Sequence, residues 1–327
     1  MLEYKVTGDA AGQRLDKFLR KRLAAVPLSH LYKMVRTKKV RVNGARADIG
    51  QLLAEGDLVA VRGPEAALLG PAPREPQEKP AAAVRQDFGV LYEDDAILVC
   101  DKPFGLAIHP GSGITGETLV DQARAYLVRQ GLALADGEFR PSPAHRLDRE
   151  TSGAVVVAKT RQAMVRLTEI FTAGDADKTY LALAKGRFQK DRGTIVLRLS
   201  EHQQTFASKS QRGVNMQEAV THWTRLAGGP EATLLEVKIE TGRTHQIRRH
   251  LAAIGHPVAG DGKHGDFPFN HHARAAFGLK RMFLHATRLA LAHPLTGKRL
   301  AFTSPLPREL VEALPRAHID WKSRAEM

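Results

Sequence analysis

Seven short segments of aliphatic and β-branched residues most constrain the fold of this chain. They have the length and composition of strands and lie at 96–100 (AILVC), 154–159 (AVVVAK), 180–186 (YLALAKG), 194–199 (TIVLRL), 233–240 (TLLEVKIE), 283–291 (FLHATRLAL) and 298–305 (KRLAFTSP). Two segments between them have helical spacing, at 117–130 and 245–255. Because strands and helices do not alternate regularly, the pattern predicts an α+β fold rather than a doubly wound one.

A segment rich in proline and alanine divides the chain. Residues 63–86 (GPEAALLGPAPREPQEKPAAAVRQ) carry mixed charge and lack a steady apolar period. That composition is typical of a semi-rigid linker. We therefore predict an N-terminal module at residues 1–62 and a larger domain at residues 87–327.

The N-terminal module is predicted to contain two helices and a short strand. Apolar residues recur at helical spacing within Gln13–Ala25. After Pro27, Ser29 is a candidate cap for a second helix, SHLYKMVRTKKV. The string VRVNG then predicts a strand that enters a turn at Asn43 and Gly44.

Positive charge is concentrated in this module, where residues 1–62 hold 13 Lys or Arg against 6 Asp or Glu. Five of these cations fall at the end of the second helix and in the strand after it: Lys33, Arg36, Lys38, Lys39 and Arg41. A solvated basic face is one interpretation. Phosphate binding is the better one, because the cations occupy one short stretch.

The composition of the whole chain favours a polyanionic partner. Its 49 Lys and Arg against 35 Asp and Glu give a formal net charge of +14, and binding of phosphates by such cations releases counterions. The longest apolar runs fall far short of the roughly 18 residues of a membrane helix, and the first residues lack a signal-peptide pattern. The single cysteine, Cys100, excludes an internal disulfide and fits a reducing cytoplasm.

Two glycine strings, at 111–116 (GSGITG) and 260–265 (GDGKHG), have the spacing of a dinucleotide-binding loop. That loop must leave a strand directly and open a helix. Prolines separate the first string from its strand, and we predict no helix in DFPFNHH after the second. We therefore predict no nucleotide cofactor. We also predict no metal site, since His245 and His250 are five apart and no cysteine pair is present.

The string HRLDRETSG (145–153) places Asp148 between Arg146 and Arg149. By itself it leaves open a surface ion pair, a helix cap or a catalytic carboxylate. Three other polar strings also lie at strand or helix ends, at 102–111 (KPFGLAIHPG), 178–186 (KTYLALAKG) and 241–251 (TGRTHQIRRHL). If the four converge, they form a cleft with a carboxylate, several cations and a tyrosine.

These strings resemble two known families. QRLDKFL, the Ser-His-Leu-Tyr helix, KVRVNG and GDLV make residues 13–60 similar to the S4 RNA-binding domain. HRLDRETSG, the three other strings, GHPVAGD, FLHATRL and HPLTG make residues 90–305 resemble the pseudouridine synthases of large-subunit ribosomal RNA (the RluA type). That family usually has Tyr where this chain has His264.

The resemblance implies a mixed, largely antiparallel β-sheet with flanking helices and an RNA isomerase without cofactor or metal. The implied substrate is 23S rRNA or a large-subunit assembly intermediate. Asp148 would be the catalytic carboxylate, which nearby arginines should keep ionised. It could attack C1′, attack the uracil ring or act as a base on the ribose. We expect a cytoplasmic protein with no membrane association, and a monomer as the simplest state.

The resemblance also implies roles for four other residues. Tyr180 would stack against the target base and assist the C5 proton step. Arg248 would pair with Asp148, with Arg243 as a rival for that role. Arg146 would fill the space of a flipped uridine, and Leu284 would be the apolar wall beneath the uracil. A non-catalytic RNA-binding assembly factor is the alternative function, whereas an RNA methyltransferase is disfavoured by the context of the two glycine strings.

Overall fold

The computed structural model describes residues 1–23, 25–69, 81–111, 114, 116–132, 139–200 and 216–321. These residues fall into two compact units, one within Met1–Ala83 and Leu132–Phe139 and the other within Val84–Gly131 and Arg140–Met327. Part of the predicted linker (70–80) and part of the first glycine string lie outside the described residues. The linker and the proposed domain limits therefore stay predictions.

The N-terminal unit packs helices on one small sheet. In chain order its elements are β1 (Leu2–Lys5), α1 (Leu15–Arg22), α2 (Leu28–Arg36), β2 (Val40–Val42), β3 (Ala45–Arg46), β4 (Leu58–Val61) and α3 (Glu65–Leu69). The strands are antiparallel in the order β1-β4-β2-β3. Leu15, Leu19 and Leu31 are fully buried between helices and sheet.

The structure tests two predictions for this unit, and it confirms one of them. The turn at Asn43 and Gly44 is confirmed, since it joins the paired strands β2 and β3. The prediction that Ser29 caps α2 is wrong. The helix begins at Leu28, Pro27 occupies the cap position two residues before Ser29, and no side chain bonds there. The fixed φ angle of Pro27 starts the helix without a polar cap.

The second unit is built on one large sheet. Its elements are β5 (Gly89–Glu93), β6 (Ile97–Lys102), α4 (Leu119–Arg129), β7 (Ser142–Pro143), β8 (Ser152–Ala158), α5 (Arg161–Ala173), β9 (Asp177–Lys185), β10 (Arg192–Ser200), β11 (Met216–Gly228), β12 (Ala232–Ile239), α6 (Gln246–Ala253), α7 (Phe267–Ala276), β13 (Leu284–Ala292), β14 (Arg299–Thr303) and α8 (Arg308–Arg316). The main strand order is β10-β11-β12-β9-β13-β8-β6-β5.

The α+β prediction is confirmed, and so is a mixed, largely antiparallel sheet. Among the described strand pairs, β8 and β13 run parallel and the others run antiparallel. Each of the seven predicted strands overlaps an observed one. Every residue of β8 is buried, which explains why its sequence is almost continuously apolar.

The prediction that DFPFNHH is not helical is wrong, because α7 spans Phe267–Ala276. Asp266 caps this helix by accepting a hydrogen bond from Phe269 N–H at 2.8 Å. Pro268 lies in the first turn, where a missing N–H costs no hydrogen bond. The second glycine string therefore does precede a helix. The capping carboxylate, however, already occupies the helix N-terminus that a phosphate would need.

Candidate active site

Asp148 lies in the turn between β7 and β8. The N–H of Thr151 donates to Asp148 O at 3.0 Å and closes the turn. Gly153 follows with φ 123°, and a β-carbon there would lie only 2.3 Å from Ala286 O on β13. Only glycine permits this close approach of backbones. Gly153 therefore allows β8 to lie directly against β13 just beyond the turn that contains Asp148.

Arg248 on α6 holds the Asp148 carboxylate. Its side chain is 2% exposed, and its Nη1 donates to Asp148 Oδ2 at 3.2 Å. Its Nη2 also reaches Glu150 at 3.3 Å. The predicted pairing with Arg248 rather than Arg243 is therefore what the structure shows. The sequence neighbours do not pair with the carboxylate, since Arg149 instead donates to Gly105 O at 3.0 Å.

Asp261 is a buried partner of Arg248 that the sequence interpretation missed. Its two oxygens accept from Nε and Nη2 of Arg248, both at 2.7 Å. Burial by itself raises the pKa of Asp261, but the bonds from Arg248 outweigh it and hold the pKa below its usual value. Burial likewise opposes the charge of Arg248, and Asp261 overcomes it, so the pKa of Arg248 is raised. In the sequence, the only sign of this buried partner is that Asp261 is a single carboxylate directly after the mostly apolar string GHPVAG.

A cavity of about 270 Å³ opens beside Asp148, and we call it the Asp148 cavity. Its lining brings together residues from strings far apart in sequence, including Arg146, Asp148, Tyr180, Arg248 and Leu284. A second cavity, of about 540 Å³, borders the same aspartate and is lined by Ala107–Gly111 and Arg146–Glu150 among others. The four polar strings, whose convergence the sequence left open, therefore do meet around Asp148.

Tyr180 and Leu284 form an apolar part of the Asp148 cavity. Tyr180 lies on β9 and Leu284 starts β13, and they are 7% and 3% exposed. Burial, with the nearby Asp148 charge, raises the pKa of Tyr180 above its usual value. Its phenol is therefore neutral at physiological pH. Arg146, in contrast, is exposed at the mouth of both cavities, whereas its neighbour Leu147 is buried.

A buried lysine braces the loop beneath Asp148. Lys102, at the end of β6, is fully buried and donates to Pro103 O and Leu106 O, both at 2.9 Å, and to Arg149 O at 3.3 Å. Burial, aided by the Arg281 charge, lowers the pKa of Lys102 to about 7. Three carbonyls from two loops thus share one cation. The string KPFG was recognisable in the sequence, but it did not indicate that Lys102 would bond to three carbonyls.

The predicted RNA-binding cations are all exposed in the N-terminal unit. Lys33 and Arg36 line a groove of about 510 Å³ together with Arg46 and Tyr32, which is 44% exposed. We call this the basic groove. Lys38, Lys39 and Arg41 do not line it, and Arg41 donates to Gly44 O at 3.0 Å. Sequence reasoning missed Arg46 and Tyr32 because they lie outside the basic cluster.

Two structural absences hold for the part of the chain that the structure describes. No group of three or more His, Cys, Asp or Glu side chains has the arrangement of a metal site. No helix there combines the length and apolar character needed to cross a bilayer.

Comparisons with known proteins agree with this architecture. A family model for RNA pseudouridylate synthase matches residues 96–253, and the S4 domain model matches residues 13–59. Similar proteins include the ribosomal large subunit pseudouridine synthases C of Vibrio cholerae serotype O1 (34% identity over 313 residues, 94% of each chain) and Escherichia coli K12 (36% over 317 residues, 95% of each chain). Similar structures include human RNA pseudouridylate synthase domain containing 4, with a TM-score of 0.58 and 25% identity over 72% of this chain and 95% of that one.

Proposed function

Because this chain belongs to the RNA pseudouridylate synthase family, we propose that it isomerises uridines of large-subunit (23S) ribosomal RNA to pseudouridine, with Asp148 as the catalytic carboxylate. The observation that carries the proposal is the position of Asp148: it borders two cavities and is oriented by a buried arginine. The curated relatives, which match nearly the full chain, are named for this activity on the large subunit.

The reaction breaks the N1–C1′ bond of uridine, turns the uracil, and joins C5 to C1′. N1 gains a proton and C5 loses one, so the change is redox-neutral. Asp148 can attack C1′, attack the uracil or take a proton from the ribose, and each route needs an ionised carboxylate. Arg248 donates to Oδ2 at 3.2 Å and holds that carboxylate at the cavity wall.

The remaining cavity residues bind and position the base. Tyr180 stacks on the uracil and assists the C5 proton step, and Leu284 packs beneath the ring. Because its phenol is neutral, Tyr180 can pass the C5 proton on only as a relay, in which the phenol oxygen accepts that proton while its own O–H proton leaves to solvent. Arg146 is exposed and lines both cavities, so its planar guanidinium suits the place that a flipped uridine leaves in the RNA.

The basic groove supplies affinity for RNA. Lys33 and Arg36, with Lys38, Lys39 and Arg41 beyond the groove, contact phosphates of folded rRNA or of a large-subunit assembly intermediate. Exposed cations of this kind hold the RNA without reading much sequence. We also propose that the protein works as a monomer in the cytoplasm and needs neither metal nor cofactor.

Tritium release tests the bond change directly. Large-subunit rRNA transcribed with 5-tritiated uridine, naked or in assembly intermediates, is incubated with the parent protein or with Asp148→Asn. We expect release by the parent and none by the variant, because formation of the C5–C1′ bond expels the label. Release from neither RNA preparation would favour the RNA-binding assembly factor instead. Release by both proteins would contradict the role of Asp148.

A further inference from the structure

A pair of histidines borders Asp148. His245, at the N-terminus of α6, presents Nε2 at 3.8 Å from Asp148 Oδ2. On its other side, Nδ1 of His245 lies 2.8 Å from Nε2 of His264, which belongs to the loop before α7. The side chain of His245 is 13% exposed and lines both cavities around Asp148. These two rings therefore connect the α6–α7 loop to the catalytic carboxylate.

The backbone of His245 is unusual as well. Its φ of 53° and ψ of 30° are left-handed, a conformation that costs energy for any residue except glycine. Strained positions of this kind concentrate at functional sites, where surrounding structure holds them. Here the strain places the ring between Asp148 and His264 at the start of α6.

Burial, together with nearby cations and against two carboxylates, favours neutral rings in this pair. Asp148 comes from the β7–β8 turn, Arg248 and Arg249 from α6, and Asp261 and Lys263 from the loop before His264. Burial, which the Asp148 charge opposes, lowers the pKa of His245 to about 4 with help from Arg248, His264 and Lys263. Burial also lowers the pKa of His264. Two neutral imidazoles in contact share one hydrogen bond, so one nitrogen donates and the other accepts.

The carboxylate decides which nitrogen donates. If His245 kept its proton on Nδ1, the Nε2 lone pair would face the negative Oδ2 of Asp148. If the proton is on Nε2, an N–H faces that oxygen and the interaction is attractive. In that second arrangement Nδ1 of His245 accepts, and His264 must carry its own proton on Nε2.

We propose that His245 is a further positioning residue: its neutral ring directs Nε2–H at Oδ2 of Asp148, and His264 fixes this tautomer by donating to Nδ1. Arg248 approaches the same oxygen, and no described residue donates to Oδ1 of Asp148. The two donors thus anchor Oδ2 and leave Oδ1 to the reacting nucleotide. A separation of 3.8 Å exceeds a hydrogen bond, and we expect it to shorten when RNA fills the cavity, as catalytic contacts do.

This inference rests on the proposed role of Asp148, so its first test needs no activity. In the full-length protein labelled with ¹⁵N-histidine, two-bond ¹H–¹⁵N correlations at pH 7 report which ring nitrogen carries the proton. We expect Nε2 protonated and Nδ1 unprotonated for His245. The signal of His245 is identified as the one that is absent from the spectrum of His245→Asn. Asparagine suits this variant because it tolerates the left-handed backbone. A proton on Nδ1, or a doubly protonated ring, would overturn the proposal.

Two variants of His264 test the consequence for turnover. Glutamine places an amide N–H where His264 Nε2 lies, whereas methionine has similar length and no donor. We expect His264→Gln to keep the tautomer of His245 and the parental kcat. His264→Met should mix the tautomers and lower kcat about tenfold, the effect of one hydrogen bond to a charged group, with KM unchanged. Equal kcat for the two variants would refute the role of His264.

The outcomes separate the two proposals. If Asp148→Asn still released tritium, the proposed catalytic role of Asp148 would fall, and the positioning role of His245 would fall with it, whatever the tautomer. If Asp148→Asn were inactive but His245 had the wrong tautomer, only the present inference would fail. The tautomer in the unmodified protein is decisive even if His264→Met does not fold.

Discussion

The Asp148 cavity and the basic groove both depend on charged side chains, but the charges are held differently. At the cavity, Arg248 in the lining is 2% exposed, Asp261 behind it is fully buried, and two hydrogen bonds join them. In the N-terminal unit, Lys33, Arg36 and Lys38 are exposed to solvent. A buried charge without a partner costs several kcal/mol, whereas an exposed one costs almost nothing.

This difference in burial corresponds to two different roles for the charged side chains. Buried charges are fixed by geometry, so they can orient a reacting group but cannot be replaced singly. Exposed charges are independent of one another and screened by salt, so they contribute affinity in small, nearly additive steps. Substitutions in the cavity should therefore change chemistry or folding, and substitutions near the groove should change binding. Five predictions test that division.

The largest effect is expected for Asp148→Ala. Turnover should fall by at least about 10³-fold, because Asp148 supplies the carboxylate that lines both cavities, whereas Glu150 lines one of them. The affinity for rRNA should stay within about twofold of the parent, since Arg248 keeps its partner Asp261 and the fold is retained. Single-turnover tritium release and filter binding measure the two quantities. A large loss of affinity would mean that Asp148 is structural and would break the division.

Arg248→Met should mainly destabilise the second unit. It leaves Asp261 buried without its cation, at a cost of about 3–5 kcal/mol, which thermal unfolding would report as a drop of roughly 6–20 °C in Tm. The matched control is Arg248→Met with Asp261→Asn, which removes both charges and keeps an acceptor for the N–H groups of Lys263 and His264. Most of the lost stability should return in that double variant.

The pH dependence of this destabilisation follows from Asp261. The folded pKa of Asp261 in the parent is lowered, so the stability it contributes is present above its ordinary value of 3.8 and is lost as the pH falls through the folded pKa. Without Arg248, burial, the largest influence, raises that pKa against the two backbone N–H groups that still bond to Asp261, and protonation then relieves the buried charge. The deficit of Arg248→Met should therefore be largest near pH 7 and shrink toward pH 4. A deficit independent of pH would exclude the ion pair as its cause.

Much of this arrangement could be predicted from sequence, because strands and turns are encoded locally. The seven strand segments and the Asn43-Gly44 turn follow from composition. Helix α7 was missed since Pro268 usually argues against a helix, and only the capping bond of Asp266 shows that it sits in a first turn. Strand β11 was missed because polar residues interrupt it, and its pairing on both sides with β10 and β12 overrides weak propensity.

The site shows the same limit. Asp148, Tyr180 and Arg248 could be nominated from motifs, because each lies in a recognisable string. Asp261 and the contact between His245 and His264 could not, since they depend on loops that meet only in the folded chain. Motifs thus identify the groups that act, and tertiary structure identifies the groups that hold them.

Replacement of Lys38 and Lys39 together by alanine should have a moderate effect confined to binding. The slope of log K against log salt should flatten by about 1.4–1.8, which is 0.7–0.9 for each lost phosphate contact. The control is Lys298→Ala with Arg308→Ala, which removes two exposed cations from the other unit. Salt titrations of rRNA binding measure the slope. Equal flattening by both pairs would point to net charge rather than to contacts near the groove.

The smallest effect is expected for Lys38→Gly, and it is the most informative test of the difference between the Asp148 cavity and the basic groove. Lys38 has a φ of 60° and follows α2, where the N–H groups of Lys38 and Lys39 bond to Val35 O and Met34 O at 3.0 and 2.9 Å. Glycine is the usual residue at this position of such a helix end, so the fold itself disfavours a lysine there. Lys38→Gly should slow hydrogen exchange of the Lys39 amide by a factor that corresponds to about 0.5–1 kcal/mol. It should also weaken RNA binding through one lost contact.

Lys38→Ala separates these two effects. Alanine removes the same charge and keeps the left-handed strain, so binding should weaken equally while hydrogen exchange at Lys39 stays near the parental rate. Glycine is expected to raise the stability of the helix end and lower RNA affinity, whereas alanine is expected to lower affinity alone. That combination would mean that the lysine is retained for RNA binding although it destabilises the helix end. If glycine left affinity unchanged, Lys38 would have no phosphate partner, and the flattening expected for the double alanine variant would have to come from Lys39 alone. The left-handed lysine at the end of α2 would then have no role in RNA binding to offset its conformational cost.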